Sequence, residues 1–137
     1  MPDTPERPPV STPAWGLLPL RLVVAAVFLM HGGMKLFVMG MAGVTGMFTH
    51  LGIPLPAIAA PLVTAVEILG GLAVLTGVFT RWAGLLLAAD MAGAILFAKL
   101  HGGFFSPQGY ELELLLLGAS LTLAAAGPGG VSLGRKT

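Results

Sequence analysis

The chain has 137 residues, of which 55% are hydrophobic and only 9% are charged. Soluble domains carry about 25% charged residues, so this composition excludes an ordinary soluble domain and predicts an integral protein of the lipid bilayer. The net charge of +1 gives no basic surface for nucleic acid. The chain has no cysteine, which excludes disulfides, thiol redox chemistry and cysteine-ligated cofactors, and its three scattered histidines predict no metal site.

Four apolar segments follow one another along the chain, separated by two stretches that contain Gly and Pro, 39–56 and 101–109, and by the short connection Thr80-Arg81. They predict an all-α fold, a four-helix transmembrane bundle with up-down-up-down topology. The expected helices are 17–38, 57–79, 82–100 and 110–126.

Polar segments flank the predicted transmembrane domain, which covers residues 15–130. Residues 1–14 are rich in Pro and polar residues and are expected to form a disordered tail. Residues 131–137 are expected to form a polar C-terminal tail.

The first helix carries charged or polar side chains along most of its length. Arg21, His31 and Lys35 fall within an arc of about 80° at helical spacing, so one face of the helix is polar. An alternative for Arg21 and Lys35 is that each snorkels from one end of the helix towards water.

The stretch 39–55 contains no Asp, Glu, Lys or Arg and is broken by Gly and by a Gly-Ile-Pro sequence. It predicts a short interfacial helix or loop, followed by a turn. Its large apolar side chains include Met41, Met47, Phe48 and Leu51. They are expected either to face lipid or to close over the bundle as a lid.

The second helix is the most informative segment, because its apolar sequence contains a single carboxylate. Glu67 shares a helical face with Thr64, Gly70 and Gly71. A carboxylate in the bilayer normally points into a bundle and has a partner, and glycines allow another helix to approach. This face is therefore predicted to be the inner wall of the bundle, with Glu67 either protonated or paired with a cation such as Lys35.

The third and fourth helices add further ionisable residues. Asp90 lies in the middle of the third helix, next to a face of small residues, and Lys99 lies near its end. Glu111 and Glu113 lie in the first turn of the fourth helix, where acidic residues also complement the helix dipole.

An even number of helices places both termini on one side of the membrane. Basic residues concentrate on that side: Arg7, Arg81, Arg135 and Lys136, with Arg21 nearby. The positive-inside rule therefore predicts an inner-membrane protein with both termini in the cytoplasm.

The same topology gathers the ionisable groups of four helices into a polar cluster that opens towards the outer face. The candidates for a polar core or ligand site are His31, Lys35, Glu67, Asp90 and Glu111. Arg21, Gly70, Gly71 and Arg81 are candidates for structural or topological roles. The alternative is a set of structural ion pairs that fix the register of the helices.

The pattern resembles the DoxX family of small four-helix membrane proteins. The matching segments are 21–36, 51–54, 66–91, 109–117 and 127–133. The resemblance points to Arg21, His31, Gly32 and Lys35, to Glu67, Gly70 and Gly71, and to Arg81 and Glu111. In many relatives the final Ser-Leu is followed by Asp, whereas here Ser132 and Leu133 are followed by Gly134.

The resemblance implies a redox-associated membrane subunit that works near quinones or thiol redox partners, without defining a reaction. We therefore expect a buried polar site for a quinone or another small substrate, with His31 and Lys35 as donors and Glu67 as proton acceptor. The alternative is a non-catalytic accessory subunit that anchors or stabilises a larger membrane complex, as a homo-oligomer or with another membrane protein. A proton-coupled transporter of small molecules is a third hypothesis, which suits a dimer better than a monomer of four short helices.

Overall fold

A computed structural model describes residues 15–134 of the chain. The predicted N-terminal tail and the basic residues Arg7, Arg135 and Lys136 lie outside the described residues. Within residues 15–134 every regular element is a helix, which confirms the all-α class.

The described chain forms five α-helices: α1 Leu18–Gly33, α2 Gly40–His50, α3 Pro56–Thr76, α4 Thr80–Ala94 and α5 Glu111–Ala126. Two π-helical segments, Met34–Met39 and Ile95–Lys99, continue α1 and α4, and a 3₁₀ turn follows at Leu100–Gly102.

Three helical runs are long and apolar enough to cross a membrane: Leu18–His50, Pro56–Thr76 and Thr80–Gly102. Helix α5 has 16 residues and is about 24 Å long at the rise of an α-helix. It is therefore shorter than the hydrocarbon core of about 30 Å.

Glycines set several of the helix boundaries. Gly40 has a φ of 71° between the first π-helical segment and α2, so the chain changes direction there. The short helix expected within 39–55 corresponds to α2. Helix α3 ends at Thr76 because Gly77 adopts a φ of 82°, so it stops before the predicted end at residue 79.

The predicted inner face of α3 is buried. Thr64, Glu67, Gly70 and Gly71 all lie inside the structure, as the helical spacing predicted. A Cβ on Gly70 would contact the side chain of Leu87 in α4, and one on Gly71 would contact Leu29 in α1. These two glycines therefore make room for leucine side chains of both neighbouring helices.

Gly84 allows a close backbone approach between α4 and α5. A Cβ on Gly84 would lie 2.7 Å from the backbone nitrogen of Ala124 and 2.7 Å from the backbone oxygen of Ser120. Side chains cannot rearrange to relieve a contact with backbone atoms, so only glycine fits this helix crossing.

Arg21 joins the start of α1 to the end of α3 and to the segment after α5. Its guanidinium donates to the backbone oxygens of Val74 at 2.9 Å, Leu75 at 2.9 Å and Pro128 at 3.0 Å, and also to that of Val131. Arg21 is only 2% exposed. It therefore does not snorkel, and it holds the C-terminal segment against the bundle.

Large apolar side chains remain on the outside of the helices. Phe37, Leu62, Leu69 and Leu115 are among those that are exposed. In a water-soluble protein these side chains would expose a large apolar area to water. The surface is therefore suited to contact with lipid.

Candidate functional site

A cavity of about 340 Å³ lies among the helices. Its apolar wall comes from Phe28, Met47, Phe48, Leu51, Ile53, Val63, Met91, Phe97, Leu112 and Leu116, together with small residues of α4. Its polar groups belong to His31, Lys35, Glu67, Asp90, Lys99 and Glu113. The cavity thus combines an extensive apolar wall with a few ionisable groups, as small-molecule sites do.

Lys35 and Glu67 form an ion pair at the inner part of this cavity. Lys35 Nζ donates to Glu67 Oε2 at 2.8 Å and to Oε1 at 3.0 Å. The side chain of Glu67 is 4% exposed and that of Lys35 is 14% exposed. Gly32 permits this arrangement, because a Cβ there would lie 3.2 Å from the Cβ of Glu67 and 2.7 Å from Ile68 Cγ1.

Asp90 of α4 lines the same cavity as this pair. Asp90 Oδ2 is buried and receives no hydrogen bond from any residue in 15–134. The three side chains therefore line one cavity, and we call them the Lys35–Glu67–Asp90 trio.

Lys99 and Glu113 form a second, looser pair in the wall of the cavity. Lys99 Nζ lies 3.6 Å from Glu113 Oε1 and donates to the backbone oxygen of Pro107 at 2.8 Å. Glu113 Oε2 is buried without a hydrogen-bond partner among the described residues. The cavity thus contains two acceptor oxygens, one on Asp90 and one on Glu113, that a ligand or water can use.

His31 lies on the exposed side of α1 and also reaches the cavity wall. Its Nδ1 donates to the backbone oxygen of Val27 at 2.8 Å. In the neutral ring this leaves Nε2 as an acceptor, and in the charged ring Nε2 is a second donor.

The structure places Glu111 away from the cavity. Its Oε1 accepts a hydrogen bond from the backbone nitrogen of Ser106 at 3.1 Å, so it holds the loop that precedes α5. The cavity is lined instead by Glu113, which lies two residues further along the helix. Sequence reasoning assigned both residues to the same rim but chose Glu111 as the candidate.

Arg81 lies at the start of α4, outside the cavity. It donates to the backbone oxygens of Ala124 and Ala125 at the end of α5, where carbonyl groups lack helical partners. Arg81 therefore caps the end of α5, as Arg21 binds the last carbonyl groups of α3.

Helix α2 and the turn after it cover one side of the cavity. Met47, Phe48, Leu51 and Ile53 all line it. Phe48 is buried together with Val44 against Ala60 of α3. Two arrangements were expected for this segment, facing lipid or closing over the bundle. Met47, Phe48 and Leu51 close over the bundle.

Comparisons with known proteins agree with this membrane fold. The chain is 37% identical over 112 residues to "Putative oxidoreductase CatD" of Bacillus subtilis, covering 82% of this chain and 79% of the relative. It is 37% identical over 128 residues to an uncharacterized membrane protein of Mycobacterium tuberculosis, covering 85% and 78%. It is 31% identical over 121 residues to the inner membrane protein YqjF of Escherichia coli, covering 88% and 90%. No solved structure matches the chain significantly.

A family model gives the most direct assignment. The DoxX model matches residues 16–100, a range that contains Lys35, Glu67 and Asp90, and so every member of the trio. The protein is therefore a membrane protein of the DoxX family.

Proposed function

We propose that this protein is a redox-associated membrane subunit that binds a quinone, or a small substrate of similar shape, in the cavity. The observation that supports this most is the combination of an apolar cavity of about 340 Å³ with buried acceptor oxygens on Asp90 and Glu113. The name of the Bacillus relative, "Putative oxidoreductase CatD", agrees with a redox association.

The size and the wall of the cavity favour an aromatic or quinone-like head group. Ligand pockets have volumes of about 300–1,000 Å³ and bind mainly through apolar contacts, with a few polar groups that orient the ligand. Phe28, Phe48 and Phe97 supply aromatic surface of the kind that packs on a flat ring.

The polar groups can orient such a ring. The ammonium group of Lys35 has three donors, and two of them are used by Glu67, so one is left for a ligand oxygen. His31 can add a donor or an acceptor through Nε2. Asp90 and Glu113 can accept hydrogen bonds from hydroxyl groups of a reduced ligand.

The bundle that holds this site is proposed to have four transmembrane helices with up-down-up-down topology: α1, α3, α4 and α5. Support comes from Arg21 and Arg81, which connect the beginnings of α1 and α4 to the ends of α3 and α5. We further propose an inner-membrane location with both termini in the cytoplasm, because these two arginines lie at the same end of the bundle.

The proposal is tested by extracting quinones from the purified protein and measuring them by mass spectrometry. The decisive variant is Gly93→Leu. Gly93 lines the cavity, and a Cβ there would meet no atom within 4 Å. A leucine at this position therefore fills the cavity without displacing the backbone, and the retained quinone is expected to fall severalfold.

Gly118→Leu is the matched control. Gly118 lies on α5, a Cβ there would also meet no atom within 4 Å, and it does not line the cavity. This variant should retain as much quinone as the wild-type protein. Equal retention in all three proteins, or none in the wild type, would contradict the proposal. If no quinone is retained and a second membrane protein co-purifies, the accessory-subunit alternative gains support.

A further inference from the structure

The residues that line the cavity differ in their exposure, and this difference locates its opening. A residue that lines a cavity and is also exposed at the surface of the protein lies at the opening. The exposed lining residues are His31, Met47, Ala89, Phe97, Ala98 and Leu112. All of them except His31 are apolar, whereas the carboxylate of Glu67 is buried. The rim of the opening is therefore mainly apolar.

The opening lies between α2 and α4. Met47 belongs to α2, and Ala89 and Phe97 belong to α4 and its π-helical extension. Helix α2 packs against α3 and the first π-helical segment, and α4 packs against α3 and α5. Among the described residues, α2 and α4 do not pack extensively on one another. Their exposed lining residues therefore border a gap that leads from the cavity to the surface.

The part of α4 beside this gap is apolar and has room for a further group. Ala89 and Gly93 share a helical face, both line the cavity, and a Cβ on Gly93 would meet no atom within 4 Å. Leu86 lies one turn before Ala89, is 54% exposed and does not line the cavity. An apolar path thus continues from the cavity along α4 to the outer surface of the helix.

This path lies at membrane depth. Ala89 and Gly93 are near the middle of Thr80–Gly102, a helical run long and apolar enough to cross a membrane. An opening at the middle of such a run borders the hydrocarbon of the bilayer, where acyl chains and not water surround the protein.

We propose that the cavity opens sideways into the lipid between α2 and α4, and that its ligand is an amphiphile with an apolar tail. The head group occupies the cavity, and the tail leaves it past Gly93 and Ala89. This inference rests on the proposed function and adds the class of ligand and its route of entry. A tail on this path stays in apolar surroundings along its length, while the ionisable groups of the cavity remain with the head group.

The direction of the opening is tested by thiol labelling in lipid nanodiscs without any quinone. The chain has no cysteine, so Gly93→Cys introduces a single thiol into the cavity. It should react at least severalfold faster with a maleimide that carries a decyl chain than with one that carries a sulfonate, because a charged group is excluded from hydrocarbon. Ser106→Cys, in the exposed loop before α5, is the control that should react readily with the sulfonate reagent.

The tail is tested by comparing the binding of one benzoquinone ring with and without a decyl chain to the protein in detergent. Ala89→Phe places a ring on the path of the tail and should weaken the binding of the decyl quinone severalfold, with little effect on the quinone without a tail. Ala65→Phe is the matched control, since Ala65 is exposed on α3 and does not line the cavity. It should change neither affinity.

Several outcomes would overturn the proposal. In the first experiment these are reaction of Gly93→Cys mainly with the sulfonate reagent, equal reaction with both reagents, or no reaction. In the second experiment they are equal weakening of both quinones by Ala89→Phe, or no weakening of either. If neither quinone binds but Gly93→Cys reacts selectively with the decyl reagent, the quinone of the proposed function is wrong and the lipid-facing opening is retained.

Discussion

Lys35 Nζ donates to both carboxylate oxygens of Glu67, at 2.8 and 3.0 Å, and so joins the segment after α1 to the middle of α3. The pair is nearly enclosed, with side-chain exposures of 14% and 4%. Breaking a buried pair by removing one partner is more damaging than replacing both, because the remaining charge loses its compensation.

Lys35→Met should therefore lower the free energy of unfolding by about 3 kcal/mol, since it leaves two carboxyl groups without a cation. Glu67→Gln should have a smaller effect, because the carboxyl group of Asp90 remains in the cavity that Lys35 lines. The variant that combines Lys35→Met with Glu67→Gln should lose less free energy of unfolding than the two single variants lose together. Thermal unfolding in detergent measures all three, and simple additivity would show that the two residues are not coupled.

Arg21 offers a second test, because it is buried and donates to four backbone carbonyl groups. Arg21→Met should lower stability by at least about 3 kcal/mol, since each of the four acceptors left without a donor costs about 1–3 kcal/mol. It should also release the segment 127–134 to limited proteolysis, which is the more specific measurement.

The control for this prediction is Arg81→Met, because Arg81 binds carbonyl groups at an exposed position. Its loss should lower stability by less than about 1 kcal/mol. Equal effects of the two substitutions would contradict the role assigned to Arg21.

The contact at Gly84 predicts a steric effect that depends on position. Gly84→Ala should destabilise the protein by about 1–3 kcal/mol, because its Cβ would meet backbone atoms of Ala124 and Ser120. Gly93 lies on the same helix, and a Cβ there would meet no atom within 4 Å. Gly93→Ala should therefore be neutral or slightly stabilising. Thermal stability of the two alanine variants compares them directly, and a neutral Gly84→Ala would show that α4 and α5 are not in close contact.

The proposed orientation predicts the behaviour of topology reporters. A reporter that is active only outside the cytoplasm should be silent when fused after Thr137. The same reporter should be active when inserted near Ser106, in the loop before α5. The reverse pattern would show that the distribution of basic residues has been interpreted wrongly.

Some parts of the site could be derived from sequence because they depend on local spacing. The burial of Glu67 with Thr64, Gly70 and Gly71 follows from the period of one helix. The pairing of Glu67 with Lys35 was expected as one of two states of a buried carboxylate, because such a group needs compensation.

Other parts depend on contacts between distant residues. The acceptors of Arg21 lie 53 to 110 residues away, so its sequence position alone was equally compatible with snorkelling. Glu111 and Glu113 differ by about 200° around a helix, and only the packing of α5 shows that Glu113 reaches the cavity. The π-helical segments likewise depend on hydrogen-bond register, which composition does not reveal.

The most direct test of a ligand site in the cavity is covalent labelling with a photoreactive quinone, followed by peptide mass spectrometry. The account predicts labels on cavity residues such as Met47 and Phe97, suppressed by excess unmodified quinone and by Gly93→Leu, and unchanged by Gly118→Leu. Labels confined to outward-facing residues such as Leu115, or cavity labels that persist in Gly93→Leu, would contradict it.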